Sequence, residues 1–223
     1  MPAARIRSLE FVPADKELSP ESAGSGLRAG LEDGGESTFF VATPDQPARW
    51  LEQSEFSFGA PVLFVRRLDQ ENVAEAAQAM AADMGGYWLR YYNSVGEATP
   101  DAAPAKPPRK TTGCKVVSAS ISEAYPPRSP DGCAVVQARI DDDREFSLLT
   151  ATPAWFTGHF EQQKLPYYYG PSVLFVRRLE PRLVRRAVNA MAAHGDRWLC
   201  RYDTPRRTLP EVLADFKAKH FAV

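Results

Sequence analysis

Two Arg-Arg pairs are the residues best placed for chemistry. Arg66-Arg67 and Arg177-Arg178 each follow an apolar run, Val62–Val65 and Val173–Val176, that reads as a buried strand. In an open α/β sheet, ligands gather beyond the carboxyl ends of the strands. Guanidinium groups there hold phosphate or carboxylate through paired hydrogen bonds. The plainer alternative is that they pair with Asp69 and Glu180 and cover the strand ends. Arg182, Arg185 and Arg186 follow the second pair and extend its positive charge along a predicted helix.

His159 lies in Gly158-His159-Phe160-Glu161, ahead of Tyr167-Tyr168-Tyr169. An imidazole beside a carboxylate can move a proton. A surface or interface role suits His159 better, because the first half of the chain has no counterpart. His159, His194 and His220 are too far apart for a metal motif, and Asp141-Asp142-Asp143 lacks EF-hand spacing and reads as a turn. No GxSxG, GxGxxG, P-loop or HExxH occurs. No catalytic residue, metal or cofactor is therefore expected, and the sequence points away from an enzyme. Cys114, Cys133 and Cys200 form no CxxC and read as small core hydrophobes in a reducing compartment. Trp88 and Trp198 fall in apolar segments and read as core. Trp50 and Trp155, near predicted helix starts, read either as core or as interface anchors.

These side chains sit in an internal repeat. Val-Leu-Phe-Val-Arg-Arg-Leu begins at Val62 and again at Val173. Ala42-Thr43-Pro44 matches Ala151-Thr152-Pro153 upstream. Ala79–Ala82 matches Ala190–Ala193 downstream, followed by Trp88-Leu89 with Trp198-Leu199 and Tyr92 with Tyr202. So long a colinear series predicts a tandem duplication. The expected domains are a first α/β repeat over 1–93, a Pro/Ala-rich linker over 94–113, and a second repeat over 114–223 ending in a helix. That last helix is expected over Leu209–Phe221, with Val212, Leu213, Phe216 and His220 on one face.

The second repeat shows the elements best. Lys115–Ser122, Ala134–Ile140 and Glu145–Ala151 read as an antiparallel meander divided by turn chemistry. Thr152-Pro153 supplies an N-cap and a proline at N1. Val173–Val176 follows as a strand. Glu180-Pro181 opens a helix with Val184, Ala187, Val188 and Met191 at helical spacing, and His194-Gly195 ends it. Arg197–Tyr202, like Tyr87–Tyr92, reads as a closing strand. Each unit is thus expected to be β-β-β-α-β-α-β: a mixed α/β sheet, present as two similar domains in a pseudo-twofold relation.

The whole chain has 223 residues, 27 Lys+Arg and 28 Asp+Glu, for a net charge of −1. That average hides a contrast. Residues 1–100 carry 8 basic and 15 acidic residues, and residues 101–223 carry 19 and 13. Asp69, Glu71, Glu75 and Asp83 in one repeat correspond to a region with Arg182, Arg185 and Arg186 in the other. No apolar run is long enough to span a membrane, and Met1–Glu10 lacks a secretory signal, so a cytoplasmic protein is expected. The first functional expectation is a non-enzymatic binding protein that engages another protein through charged faces, as an immunity or antitoxin protein does. The second is an enzyme or small-anion binder with a site between the repeats near the Arg-Arg strand ends. The third is nucleic-acid binding by the basic second repeat, aided by Lys106, Arg109 and Lys110.

Overall fold

A computed structural model describes residues 5–12, 24–59, 61–83, 87–92, 114–194, 196–204 and 208–211. The chain divides into two compact units. Unit 1 comprises Met1–Gln46, Ala60–Thr99 and Lys164–Gly170; unit 2 comprises Pro47–Gly59, Pro100–Gln163 and Pro171–Val223. Each is a mixed α/β structure on a five-stranded sheet.

In unit 1 the strand order is β1-β2-β3-β5-β9. Strands β1 (Ile6–Val12), β2 (Gly24–Leu31) and β3 (Glu36–Ala42) form an antiparallel meander. Gly34 takes a φ of 85° in the β2–β3 turn, where a side chain would be strained. Strand β5 (Val62–Val65) lies parallel to β3, and β9 (Tyr167–Tyr168) closes the sheet antiparallel to β5. Helix α2 (Gln70–Ala82) starts at Asp69, whose carboxylate accepts the Asn72 N–H at 2.9 Å. Val73, Ala76, Ala77 and Met80 of α2 are buried in one core with Leu27, Phe39, Leu63 and Val65.

Unit 2 follows the order β4-β10-β8-β7-β6. Strands β6 (Val116–Tyr125), β7 (Cys133–Ile140) and β8 (Glu145–Ala151) form the expected meander. Strand β10 (Leu174–Val176) is parallel to β8, and β4 (Phe56–Ser57) is antiparallel to β10. Helix α1 (Gln46–Trp50) precedes β4 in the chain. Thr152 caps helix α4 (Pro153–Gln162) through its hydroxyl, with Pro153 in the first turn. Helix α5 (Pro181–Ala193) buries Val184, Ala187, Val188 and Met191 as its spacing predicts.

The expected closing strands are helices instead: α3 (Tyr87–Tyr92) and α6 (Asp196–Tyr202). The pattern of burial explains the correction. Trp88, Leu89 and Tyr92 are buried, as are Trp198, Leu199 and Tyr202. Spacings of one and four residues share a helical face, whereas a strand would bury alternate positions. Aromatic β-propensity misleads here because it is weaker than packing context. The expected unit also lacks the fifth strand of each sheet, a two-residue element. Observed element order is β-β-β-α-β-β-α-α, and it occurs twice along the chain.

Both fifth strands arrive with a glycine that follows them, and in each unit a tyrosine fixes that glycine. In unit 1 the Tyr92 hydroxyl donates to the Gly170 carbonyl at 3.1 Å and accepts the Gly170 N–H at 2.9 Å. In unit 2 the Tyr202 hydroxyl donates to the Gly59 carbonyl at 3.2 Å and accepts the Gly59 N–H at 2.9 Å. A Cβ on Gly170 would stand 2.8 Å from the Tyr168 hydroxyl, so any other residue there would require that ring to shift.

Residues 209–211 are helical and Leu209 is buried. The expected continuation to Phe221, the linker 94–113, and the helix-ending Gly195 lie outside the described residues. Among the described residues, no helix is long and apolar enough to cross a membrane.

Candidate functional site

The positive face of α5 follows from its amphipathic spacing. Leu183, Val184, Ala187 and Val188 turn inward, which leaves Arg182, Arg185 and Arg186 exposed on the opposite side. Arg186 reaches Glu55 at 2.6 Å, with the two side chains 63% and 48% exposed. A pair so open to water is worth little, ~0–1 kcal/mol. Arg182 and Arg185 have no acidic partner among the described residues. Among the described residues these two guanidinium groups stand unpaired, one turn apart on α5.

The Arg-Arg pairs divide their work. Arg67 Nε lies 3.3 Å from Asp69 Oδ2, and Arg178 Nη1 lies 4.0 Å from Glu180 Oε1. These are the pairings that cover a strand end. Asn72, through its backbone N–H and then its side-chain amide, holds the Asp69 carboxyl below the usual carboxylate range, with Arg67 adding to it. Arg177 is committed to backbone. Its guanidinium donates to the Leu51 carbonyl, to Ser54 O at 3.2 Å and to Glu52 O at 3.4 Å. Its own N–H binds Glu55 O at 2.9 Å. Arg177 thus fastens the loop 51–55 that leads into β4. Arg66 is exposed, and its N–H makes the matching bond to Pro166 O at 2.9 Å, just ahead of β9.

Trp155 and His159 stack one helical turn apart on α4, with ring centroids 4.7 Å apart and planes at 12°. Both are half-buried. Trp50 is half-buried and meets Phe175 edge-on at 6.2 Å. His159 and Arg177 belong to unit 2, whereas Tyr167–Tyr169 belong to unit 1. Trp88 and Trp198 are core residues, each 8% exposed.

The three cysteines are free thiols: Cys133 buried, Cys114 half-buried and Cys200 exposed. Burial pushes the Cys133 thiol up to about 12, so at neutral pH it carries no thiolate and behaves as a core hydrophobe. Among the described residues no three His, Cys, Asp or Glu side chains gather as metal ligands.

Sequence reasoning placed the arginines correctly on strand ends and a helix face. It missed the roles of Tyr92, Tyr202 and Arg177 as backbone clamps. Their carbonyl partners lie far away in sequence, and a carbonyl has no sequence signature. No protein-family model, curated protein or solved structure matches the chain.

Proposed function

We propose that the chain is a non-enzymatic cytoplasmic binding protein that engages an acidic surface of another protein through the exposed arginine face of α5. The observation that carries this reading is the exposed pair Arg182 and Arg185, without an acidic partner among the described residues, held on a helix whose other face is buried. Guanidinium groups fixed in this way need no reorganisation to meet carboxylates, and they speed encounter with an acidic partner. Immunity and antitoxin proteins, which work by a shaped and charged surface alone, are the class this suits. The matching α2 positions, Glu71 and Ala74, carry no positive charge. The binding face thereby belongs to the basic half.

The same contrast supports a tandem duplication whose copies diverged at the surface, the pseudo-twofold relation being part of that proposal. Shared core positions and the paired Tyr–Gly bonds support it. Small-anion binding at the Arg-Arg pairs is the weaker reading, since Arg177 is already bonded to three carbonyls.

The test is capture of protein from the native lysate by the immobilised chain, compared with the double variant Arg182→Glu/Arg185→Glu. Salt-sensitive capture that the variant loses supports the reading. Capture that is equal for both chains removes the α5 face from the function. Salt-sensitive retention of RNA or DNA instead would favour the nucleic-acid reading.

A further inference from the structure

Strand β1 is the outermost strand of the unit 1 sheet. Among the described residues no strand pairs with its outer edge, and an unpaired edge presents backbone donors and acceptors. Between β1 and α2 lies a groove of about 330 Å³, lined by Ile6, Leu9 and Phe11 from the strand and by Val73 and Ala74 from the helix. Ile6, Leu9 and Phe11 are only half-buried, so the core of unit 1 leaves part of their surface uncovered. Arg7 is the single charged residue among the described lining, and no acidic partner for it exists among the described residues. It sits where the β1–β2 register shifts, between Ile6 and Ser8. A bulge re-aims a side chain in this way.

The Ile6 N–H donates to Gln78 Oε1 of α2 at 3.2 Å, so α2 meets β1 through a side-chain amide. Unit 2 shows how its own edge strand is met. The Cys114 N–H, just ahead of β6, binds Ala192 O of α5 at 3.2 Å. The buried Leu209 brings its N–H to Glu123 Oε2 of β6 at 2.7 Å. Among the described residues, β2 is the one strand paired with β1.

We propose that this groove binds an extended peptide of a partner protein as a strand added beside β1, with aliphatic side chains between β1 and α2 and a carboxylate at Arg7. Strand addition takes its affinity from main-chain hydrogen bonds and its specificity from pockets for alternate side chains. A groove of this volume admits side chains but no folded element. Its one charge selects an acidic group at one end. The site is separate from the arginines of α5 and stands independently of the function proposed for them.

The test uses the full chain and fluorescent peptides of alternating Thr and Val with amidated ends, finished by Asp, Asn or Lys. The Asp peptide should bind, the Asn peptide about fivefold more weakly, and the Lys peptide more weakly still. Arg7→Glu should reverse that order. Bound Asp peptide should slow hydrogen exchange of β1 amides. Ala74→Trp, which fills the groove, should abolish binding while the circular dichroism spectrum is unchanged. Failure of every peptide to bind, equal binding of the Asp and Lys peptides, exchange protection confined elsewhere, or undiminished binding to Ala74→Trp would each overturn the proposal.

Discussion

The two units use the same frame with different chemistry at one point. In unit 1, Tyr167 and Tyr169 stack at 6.0 Å, and Tyr169 meets Trp88 edge-on at 6.3 Å. Asp83 accepts a hydrogen bond from Tyr169. In unit 2 the corresponding rings are Phe56 and Phe58, stacked at 6.4 Å, with Phe58 edge-on to Trp198 at 5.9 Å. His194 stands where Asp83 does and meets Phe58 edge-on at 5.9 Å. The aromatic scaffold is the same, but a hydroxyl–carboxylate pair has become an aromatic contact. Ring packing depends on shape, which both pairs satisfy. The polar pair also ties unit 1 to pH, through Tyr169.

The tyrosine clamps give the sharpest test of how alike the units are. Removing the Tyr92 hydroxyl leaves both backbone groups of Gly170 unpaired in a buried site. We expect Tyr92→Phe to cost ~1–3 kcal/mol in urea unfolding. Tyr202→Phe should cost less, because its bonds to Gly59 are only partly buried. Equal losses would show that water does not relieve Gly59. A smaller effect separates the units at high pH. Burial, then Asp83, then Tyr167 raise Tyr169 above the ordinary value of 10.0. Its folded state holds the proton longer than the unfolded state does. Its stabilising contribution is therefore complete below pH 10 and declines as pH rises beyond it. Amides of α2 and α3 should lose hydrogen-exchange protection in alkali before those of α5 and α6, and Tyr169→Phe should remove the difference. The smallest effect lies at the helix starts. Asp69 caps α2 with its side chain, whereas Glu180 makes no such bond to α5. Asp69→Ala should lower the thermal midpoint measurably and Glu180→Ala should not. Asp69 titrates below the ordinary value of 3.8, so its contribution is present above that pH and is lost as pH falls through the lower folded value. Asp69→Asn, which can still accept the Asn72 N–H, should blunt that acid loss.

Much of the fold was legible because its signals are local. Thr152-Pro153 marks a helix start by a hydroxyl and a fixed φ, and Val184, Ala187, Val188 and Met191 mark a buried helical face by spacing alone. Arg182 and Arg185 were legible for the same reason, as the side of α5 that faces away from the core. The two-residue strands β4 and β9 were not legible. Strands so short carry no periodicity, and only their partners β10 and β5 define them. The helices α3 and α6 were misread because Trp and Tyr favour strands on average, while their burial at one- and four-residue spacing is helical. The β1–α2 groove was illegible too, since a gap between two elements depends on how closely they approach.

By itself, the sequence determined the repeated motif, the two meanders, the strand that follows each, and the charge of each half. These rest on residue type and on periods of two or 3.6 residues, which need no partner to be read. Tertiary structure alone decided which strand completes each sheet. Residues 47–59 complete unit 2 and residues 164–170 complete unit 1. It also turned Arg177 from an anion-binding candidate into a backbone clamp and left Arg7 facing an open groove. The physical reason is common to all three. Backbone hydrogen bonds and cavities carry no side-chain code, so they are fixed only when segments distant in sequence pack together.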